Sequence, residues 1–183
     1  MILVVGVLLL LPLTVIRDGN PRCIADAGLT VGRFVVFALL VQIAILETPL
    51  RFASPGILAS IHVLSYLLIA VFFFKNRHIP GIAIVGLGGA ANFAAIVTNG
   101  GVMPASNWAS RTAGLQEHAG GFVNSGTGNR SPLWILGDIF AIPRSWPLAN
   151  VFSVGDILIL MGAAIFFYRV SHKVNDDSVM SPS

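Results

Sequence analysis

Long apolar runs with almost no charged side chains recur along this chain of 183 residues, and they limit the folds open to it. The clearest run, residues 151–168, carries a single charge, Asp156. About 20 predominantly apolar residues are enough for a helix to cross the hydrocarbon core of a bilayer. Charged residues make up only 10% of the chain, whereas a soluble globular domain carries about 25%. Because so few charges cannot cover a water-soluble surface, we predict a membrane protein.

Apolar length and flanking charges predict an all-α fold, a polytopic membrane bundle of five transmembrane helices. The expected spans lie near residues 1–17, 33–48, 56–75, 79–99 and 151–170. The first is interpreted as a retained span because it lacks the positive start and small-residue cleavage site of a signal peptide.

The segments between and after the spans complete this prediction. The bundle and its long loop, 99–150, would form a single transmembrane domain, residues 1–173, followed by a disordered tail, 174–183. The apolar piece near 131–143 is too short to span, so we expect a re-entrant or interfacial segment there.

Lysine and arginine residues predict the orientation of the bundle, since cytoplasmic loops carry an excess of them. One face carries Arg17, Arg22, Arg33, Lys75, Arg77, Arg169 and Lys173, and the other carries Arg51, Arg111, Arg130 and Arg144. The expected location is a bacterial cytoplasmic membrane with the N-terminus outside, the C-terminus inside and the loop 99–150 outside.

Composition and charge also limit which binding partners are expected. The net charge of +3 is scattered, so no nucleic acid partner is expected. The single cysteine, Cys23, excludes an intrachain disulfide and a CxxC motif, and no motif predicts a metal or cofactor. The lipid bilayer is the expected partner. Gly86, Ala90 and Ala94, four residues apart, would form a smooth face for a protein partner or a second copy.

Two acids in apolar surroundings, Asp138 and Asp156, are the candidate catalytic residues. An ionisable side chain inside a membrane is costly and is by default a functional-site hypothesis. A structural interpretation stays open for Asp156, which would act as a first-turn acid at a helix N-terminus with Ser153 as the cap.

Convergence of the two acids would place them beside a turn that follows the fourth span. Asn99, Gly100 and Gly101 form that turn and are the candidate substrate-binding residues. In a reaction, Asn99 could donate to a developing oxyanion. The glycines preceding the acids, Gly137 and Gly155, would let a substrate backbone approach closely.

Polar side chains within the spans have simpler expected roles. Asn92 lies on a helical stripe with Gly88, and we expect it to hydrogen-bond to a neighbouring helix. His62 and Tyr66 lie four residues apart on one helical face. Either they form a relay or ligand pair, or they hydrogen-bond within the bundle.

Three motifs carry a resemblance to known proteins: NGGVMP at 99–104, LGDIFAIP at 136–143 and VFSVGDILILMG at 151–162. Together they resemble an uncharacterised, domain-of-unknown-function family of small bacterial multi-span membrane proteins. The resemblance implies membrane location and no established activity.

The last motif is also similar in spacing to the start of the final helix of lipoprotein signal peptidase, a membrane aspartyl protease. In that enzyme an earlier Asp precedes the motif, as Asp138 precedes Asp156 here. The chain departs from the peptidase at Ile139, where the enzyme has Arg, and in its expected number of spans.

Two functional interpretations follow. In the first, the chain is a non-enzymatic scaffold, partner subunit or small-molecule binder. In the second, it is a membrane-embedded hydrolase whose Asp138 and Asp156 form a carboxylate dyad, one acid holding a proton while the other activates water.

The predicted topology can be tested with single cysteines at Ser106 and Ser178. We expect an impermeant thiol reagent added to intact cells to label position 106 and not position 178, because the charge count places them on opposite faces. Labelling of both positions from outside would contradict this topology.

Overall fold

The computed structural model describes residues 6, 9–10, 27–47, 54–115, 125–127 and 132–179. In chain order its elements are α1 (Gly32–Glu47), α2 (Pro55–Asn76), α3 (Ile82–Thr98), β1 (Met103–Ala105), α4 (Asn107–Ala113), β2 (Ser125–Thr127), a 3-10 turn (Trp134–Leu136), β3 (Phe140–Ile142), β4 (Asn150–Phe152) and α5 (Val154–Val179). Of the predicted first span, only residues 6 and 9–10 are described, and they are helical.

Among the described residues, the four longest helices fall where the last four spans were predicted. Two described segments, Gly56–Asn76 and Val154–His172, are long and apolar enough to cross a bilayer by length and composition. Ile82–Thr98 is apolar but shorter. The chain is therefore mostly helical, with apolar helices at the expected positions.

Two small sheets correct the all-α prediction. β1 pairs with β2 in parallel, and β3 pairs with β4 in antiparallel orientation. The segment near 131–143, predicted to be re-entrant or interfacial, contains the 3-10 turn and β3. A short apolar run fits a strand as well as a helix, and here the available partner strand decides between them.

The predicted disordered tail, residues 174–183, overlaps the end of α5. α5 continues to Val179, so 174–179 are helical, and 180–183 lie outside the described residues. Each helical residue adds a hydrogen bond to a helix that is already nucleated, which favours continuation even through a polar sequence.

α3 and α5 pack antiparallel through glycines spaced seven residues apart on each helix face. A side chain added at Gly162 would place its Cβ 2.6 Å from the Val85 amide nitrogen and 2.7 Å from the Gly81 carbonyl oxygen. A Cβ at Gly155 would lie 2.6 Å from the Gly88 carbonyl oxygen. The two helix backbones therefore touch at Gly162 and again at Gly155, and only glycine allows contacts this close.

The tight contact with α5 does not use the smooth face predicted at Gly86, Ala90 and Ala94. Gly86 lies against Phe73 of α2, whose Cβ would be 3.2 Å from an added Cβ. Gly86 and Ala90 line an apolar groove between α2 and α3. The tight helix crossing thus uses the neighbouring stripe, which contains Gly88.

A buried asparagine fixes the other end of the bundle. Asn76, fully buried at the end of α2, accepts a hydrogen bond from the Thr30 amide at 2.8 Å. Its own amide donates to the Thr30 carbonyl at 2.9 Å and to the Phe72 carbonyl at 2.8 Å. These bonds tie the segment that precedes α1 to α2.

The described residues between 99 and 153, namely 99–115, 125–127 and 132–153, form a folded unit, here called the cap, on the end of the bundle where α3 ends and α5 begins. Ala109 and Ala113 of α4 pack on Val151 of β4, and the rings of Phe140 and Phe152 stack at 5.3 Å. Met103 joins the cap to the bundle by packing against the last turns of α3. The described part of the predicted loop is thus an ordered structure with its own small core.

Replacement of Gly162 by alanine should destabilise the protein by about 1–3 kcal/mol, because the added methyl would meet backbone atoms that cannot move independently. Thermal unfolding in detergent measures the effect. Gly89→Ala is the matched control, since its added Cβ would lie 3.7 Å from the Phe73 ring, an ordinary contact. Both variants gain the same helix propensity, so equal melting temperatures would contradict the close crossing.

Candidate functional site

The N-terminus of α5 begins with a reciprocal pair of hydrogen bonds. The Ser153 hydroxyl accepts from the Asp156 amide at 3.0 Å, and the Asp156 carboxylate accepts from the Ser153 amide through Oδ2 at 3.0 Å. This arrangement is a capping box, which satisfies two amides that a helix start would otherwise leave unpaired. The structural interpretation of Asp156 as a first-turn acid with Ser153 as its cap is therefore confirmed.

Asn92 of α3 extends the capping box across the helix pair. Its amide nitrogen donates to Asp156 Oδ1 at 2.7 Å, and its carbonyl oxygen accepts from the Ser153 hydroxyl at 2.8 Å. The predicted role of Asn92 in interhelical hydrogen bonding is confirmed. We call these three residues, Asn92, Ser153 and Asp156, the polar latch.

Close backbone approach makes the polar latch geometrically feasible. A Cβ at Gly155 would collide with the Asn92 side-chain oxygen, so only glycine leaves room for that side chain beside α5. All three members of the latch are buried, with Ser153 fully enclosed. Buried polar groups must be paired to avoid a desolvation penalty, and here each oxygen of the Asp156 carboxylate has a donor.

Asp138 is held through its backbone in the cap. Its amide donates to the Pro104 carbonyl at 2.8 Å, and its carbonyl accepts from the Ser106 amide at 3.0 Å. Ala105 pairs with Asp138 in a parallel bridge, so the Asp138 segment lies along β1. The Asp138 side chain is buried. The preceding Gly137 is needed because a Cβ there would lie 2.8 Å from the Pro104 ring.

Tyr66 of α2 lies near the junction of the bundle and the cap. Its ring is 5.6 Å from that of Phe93 and packs on the core where α3 meets Met103. Asp138 in the cap and Asp156 at the start of α5 are both buried at the end of the bundle that carries the cap. Their convergence into a dyad stays a prediction. The side chain of His62, the predicted partner of Tyr66, lies outside the described ones.

The turn predicted to bind substrate closes the end of α3. The Gly101 amide donates to the Ile96 carbonyl at 2.8 Å, and the Gly100 amide donates to the Val97 carbonyl. Gly100 has a φ of 71°, and together these features define a Schellman motif. The Asn99 side chain donates to the Val102 carbonyl at 2.9 Å. Substrate binding by Asn99, Gly100 and Gly101 stays a prediction.

The space left by the glycines that precede the two acids is filled by other atoms of this chain. Gly137 and Gly155 admit the Pro104 and Asn92 atoms of this same protein, whereas the sequence prediction assigned that space to a substrate backbone. Within the described ranges, no group of three or more His, Cys, Asp and Glu residues could hold a metal ion.

The sequence prediction missed two participants. The sequence pairs Tyr66 only with His62, whereas in the structure it packs against Phe93 and the core around Met103, a placement that depends on how α2 and α3 pack. The glycine pairs Gly81–Gly88 and Gly155–Gly162 share a seven-residue spacing. That spacing returns to nearly the same helix face after two turns, and it was a signal available from the sequence.

Comparisons with known proteins identify relatives without assigning an activity. A family model described as a family of unknown function (DUF5317) matches residues 29–168. An uncharacterised protein from Thermotoga maritima is 34% identical over 104 residues, which is 57% of this chain and 60% of that protein. No solved structure matches the chain.

Exchanging the two facing side chains of the polar latch tests its geometry. Asn92→Asp alone should strongly destabilise the protein, because it brings a second carboxylate against Asp156. Adding Asp156→Asn should restore most of the lost stability, since one acid and one amide again face each other. Melting temperatures of both single variants and the double variant form a cycle that isolates the pairwise interaction. Additive losses would contradict the direct hydrogen bond.

Proposed function

Because the chain belongs to the DUF5317 family of unknown function, we propose its role from its own structure: a non-enzymatic integral membrane protein that acts as a scaffold, partner subunit or small-molecule binder. The alignment covers less than two thirds of the Thermotoga relative, so the proposal concerns this chain alone.

Exposed apolar stripes along the long helices carry the proposal. On α2 the exposed large side chains recur every three or four residues along the helix: Ile57, Ile61, Leu64, Leu67, Val71 and Phe74. On α5 they are Ile157, Met161, Ile165 and Tyr168. Apolar surface this continuous is unusual on a water-soluble monomer. Lipid is the solvent that suits it.

The distribution of polar groups supports the same location. Asn76, Asn92 and Asp156 are buried within the bundle and hydrogen-bonded. Inside a membrane, polar side chains face other helices because lipid offers them no partner. The irregular backbone of the cap lies beyond the helix ends, as expected where water can reach it.

The detailed topology remains part of the proposal. Five spans, a bacterial cytoplasmic membrane and an outward-facing cap agree with the charge distribution. In this orientation, the Arg77 end of α2 faces the cytoplasm. A protein partner or a second copy would contact this chain through the face of Gly86, Ala90 and Ala94 only where α2 does not cover that face.

The polar latch supports a structural role for the acids. Both Asp156 oxygens accept hydrogen bonds that close a helix start and join two helices. A carboxylate used in this way stabilises the junction between the cap and the bundle.

A second candidate function is a membrane hydrolase with an Asp138 and Asp156 dyad. One observation favours it: Asp138 and Asp156 are both buried at the end of the bundle that carries the cap. The latch exchange separates the two candidates, because it moves the carboxylate from position 156 to position 92 while restoring stability, and a dyad depends on the exact position of its acids. If the protein is a dyad enzyme, the exchanged variant would lose the wild-type effect on growth or on the membrane proteome, although it is present at the normal level. A scaffold would keep it.

The membrane location is tested at Leu64, in the middle of the exposed stripe of α2. Leu64→Arg should prevent stable membrane insertion, since arginine near a span centre costs about 2.5–3.5 kcal/mol. Trp146→Arg is the control, because Trp146 is at least as exposed as Leu64, at 67% against 58%, but lies in the cap. Resistance of the protein to alkaline extraction from membranes is the readout. If both variants behave as the wild type, or if the wild type is extracted, the membrane proposal fails.

A further inference from the structure

We propose that the groove between α2 and α3 binds one acyl chain of an anionic phospholipid, with the lipid phosphate at Arg77. The proposal rests on the membrane location argued above. The groove has a volume of about 360 Å³ and is lined almost wholly by apolar side chains.

The shape of the groove fits a single flexible chain. Along α3 it is lined mainly by small residues, Gly86, Gly89 and Ala90, with Phe93 beside Tyr66 at one end, and aromatic rings of α2 line the opposite side. The small residues leave space along the helix axes. A lipid tail can follow that space because its torsions adapt to the surface.

The length of the groove matches one leaflet of a bilayer. It extends along α2 from Tyr66 to Arg77, which is about 16 Å at 1.5 Å per residue. Half of a hydrocarbon core of about 30 Å is close to that length. The groove therefore extends from near the bilayer centre to the headgroup level of one leaflet.

Charge at the headgroup end selects the type of lipid. The Arg77 guanidinium is exposed and lies 4.3 Å from the centre of the Phe74 ring. One of its nitrogens donates to the Phe74 carbonyl at 2.6 Å. A guanidinium has five N–H donors, so this anchor is compatible with a bidentate contact to a phosphate. The Phe74 contacts hold the positive charge at the mouth of the groove.

A second copy of the chain is the competing occupant, because small residues also admit a helix. The position of Arg77 favours the lipid. A helix packed along the whole groove would have to bring an apolar turn against a guanidinium, whereas a phospholipid places its phosphate there and its tail along the glycines.

The full chain, purified in detergent, tests the proposal by native mass spectrometry with added phosphatidylglycerol or phosphatidylcholine. We expect the wild type to prefer phosphatidylglycerol and Arg77→Gln to bind it at least about tenfold more weakly, the loss expected for one charge-assisted contact. Lys75→Gln is the control of equal charge change, because Lys75 is exposed nearby without lining the groove. Gly89→Leu should reduce binding of both lipids by filling the groove.

Three results would overturn the lipid site. The first is equal binding of the two lipids, the second is equal loss in the Arg77 and Lys75 variants, and the third is a dimer that Gly89→Leu dissociates, which would assign the groove to a second copy. The membrane proposal has its own test. It fails if the wild-type protein can be extracted from membranes without detergent.

Discussion

The contact between α3 and α5 is the interaction on which the remaining structure depends. Gly88 and Gly155 meet at one level and Gly81 and Gly162 at the other, so two backbones pack without intervening side chains. Backbones this close bring many atom pairs into van der Waals contact, and these contacts together supply the attraction between the helices. Any larger residue at these levels would separate the helices and lengthen every bond that crosses between them.

The polar latch is one such set of bonds. Asn92 reaches the start of α5 only because Gly155 leaves space beside it. Once there, it pairs with both members of the capping box and converts a local helix cap into an interhelical joint. The same joint positions the cap, since β4 ends one residue before Ser153. Helix packing, helix capping and cap placement are therefore energetically coupled at one buried cluster.

Local patterns made part of this site predictable. Ser153 and Asp156 are three residues apart, and that spacing alone indicates a capping box before an apolar run. Asn92, isolated in an apolar helix, had to find a partner on another helix. Asp138 was recognised as a buried acid, but its placement along β1 follows from a parallel bridge to Ala105. That pairing joins distant parts of the chain and leaves no periodic signal near Asp138.

The amino-acid sequence by itself determined where the long helices lie, because apolar length and helix-breaking residues are properties of one continuous segment. Tertiary structure decided which face of α3 forms the tight crossing. Gly86, Ala90 and Ala94 and the neighbouring stripe with Gly88 are both smooth, and only the stripe opposite Gly155 and Gly162 finds a complementary surface. It also decided that 140–142 is a strand, because backbone groups in a short segment need a partner from elsewhere in the chain to complete their hydrogen bonds.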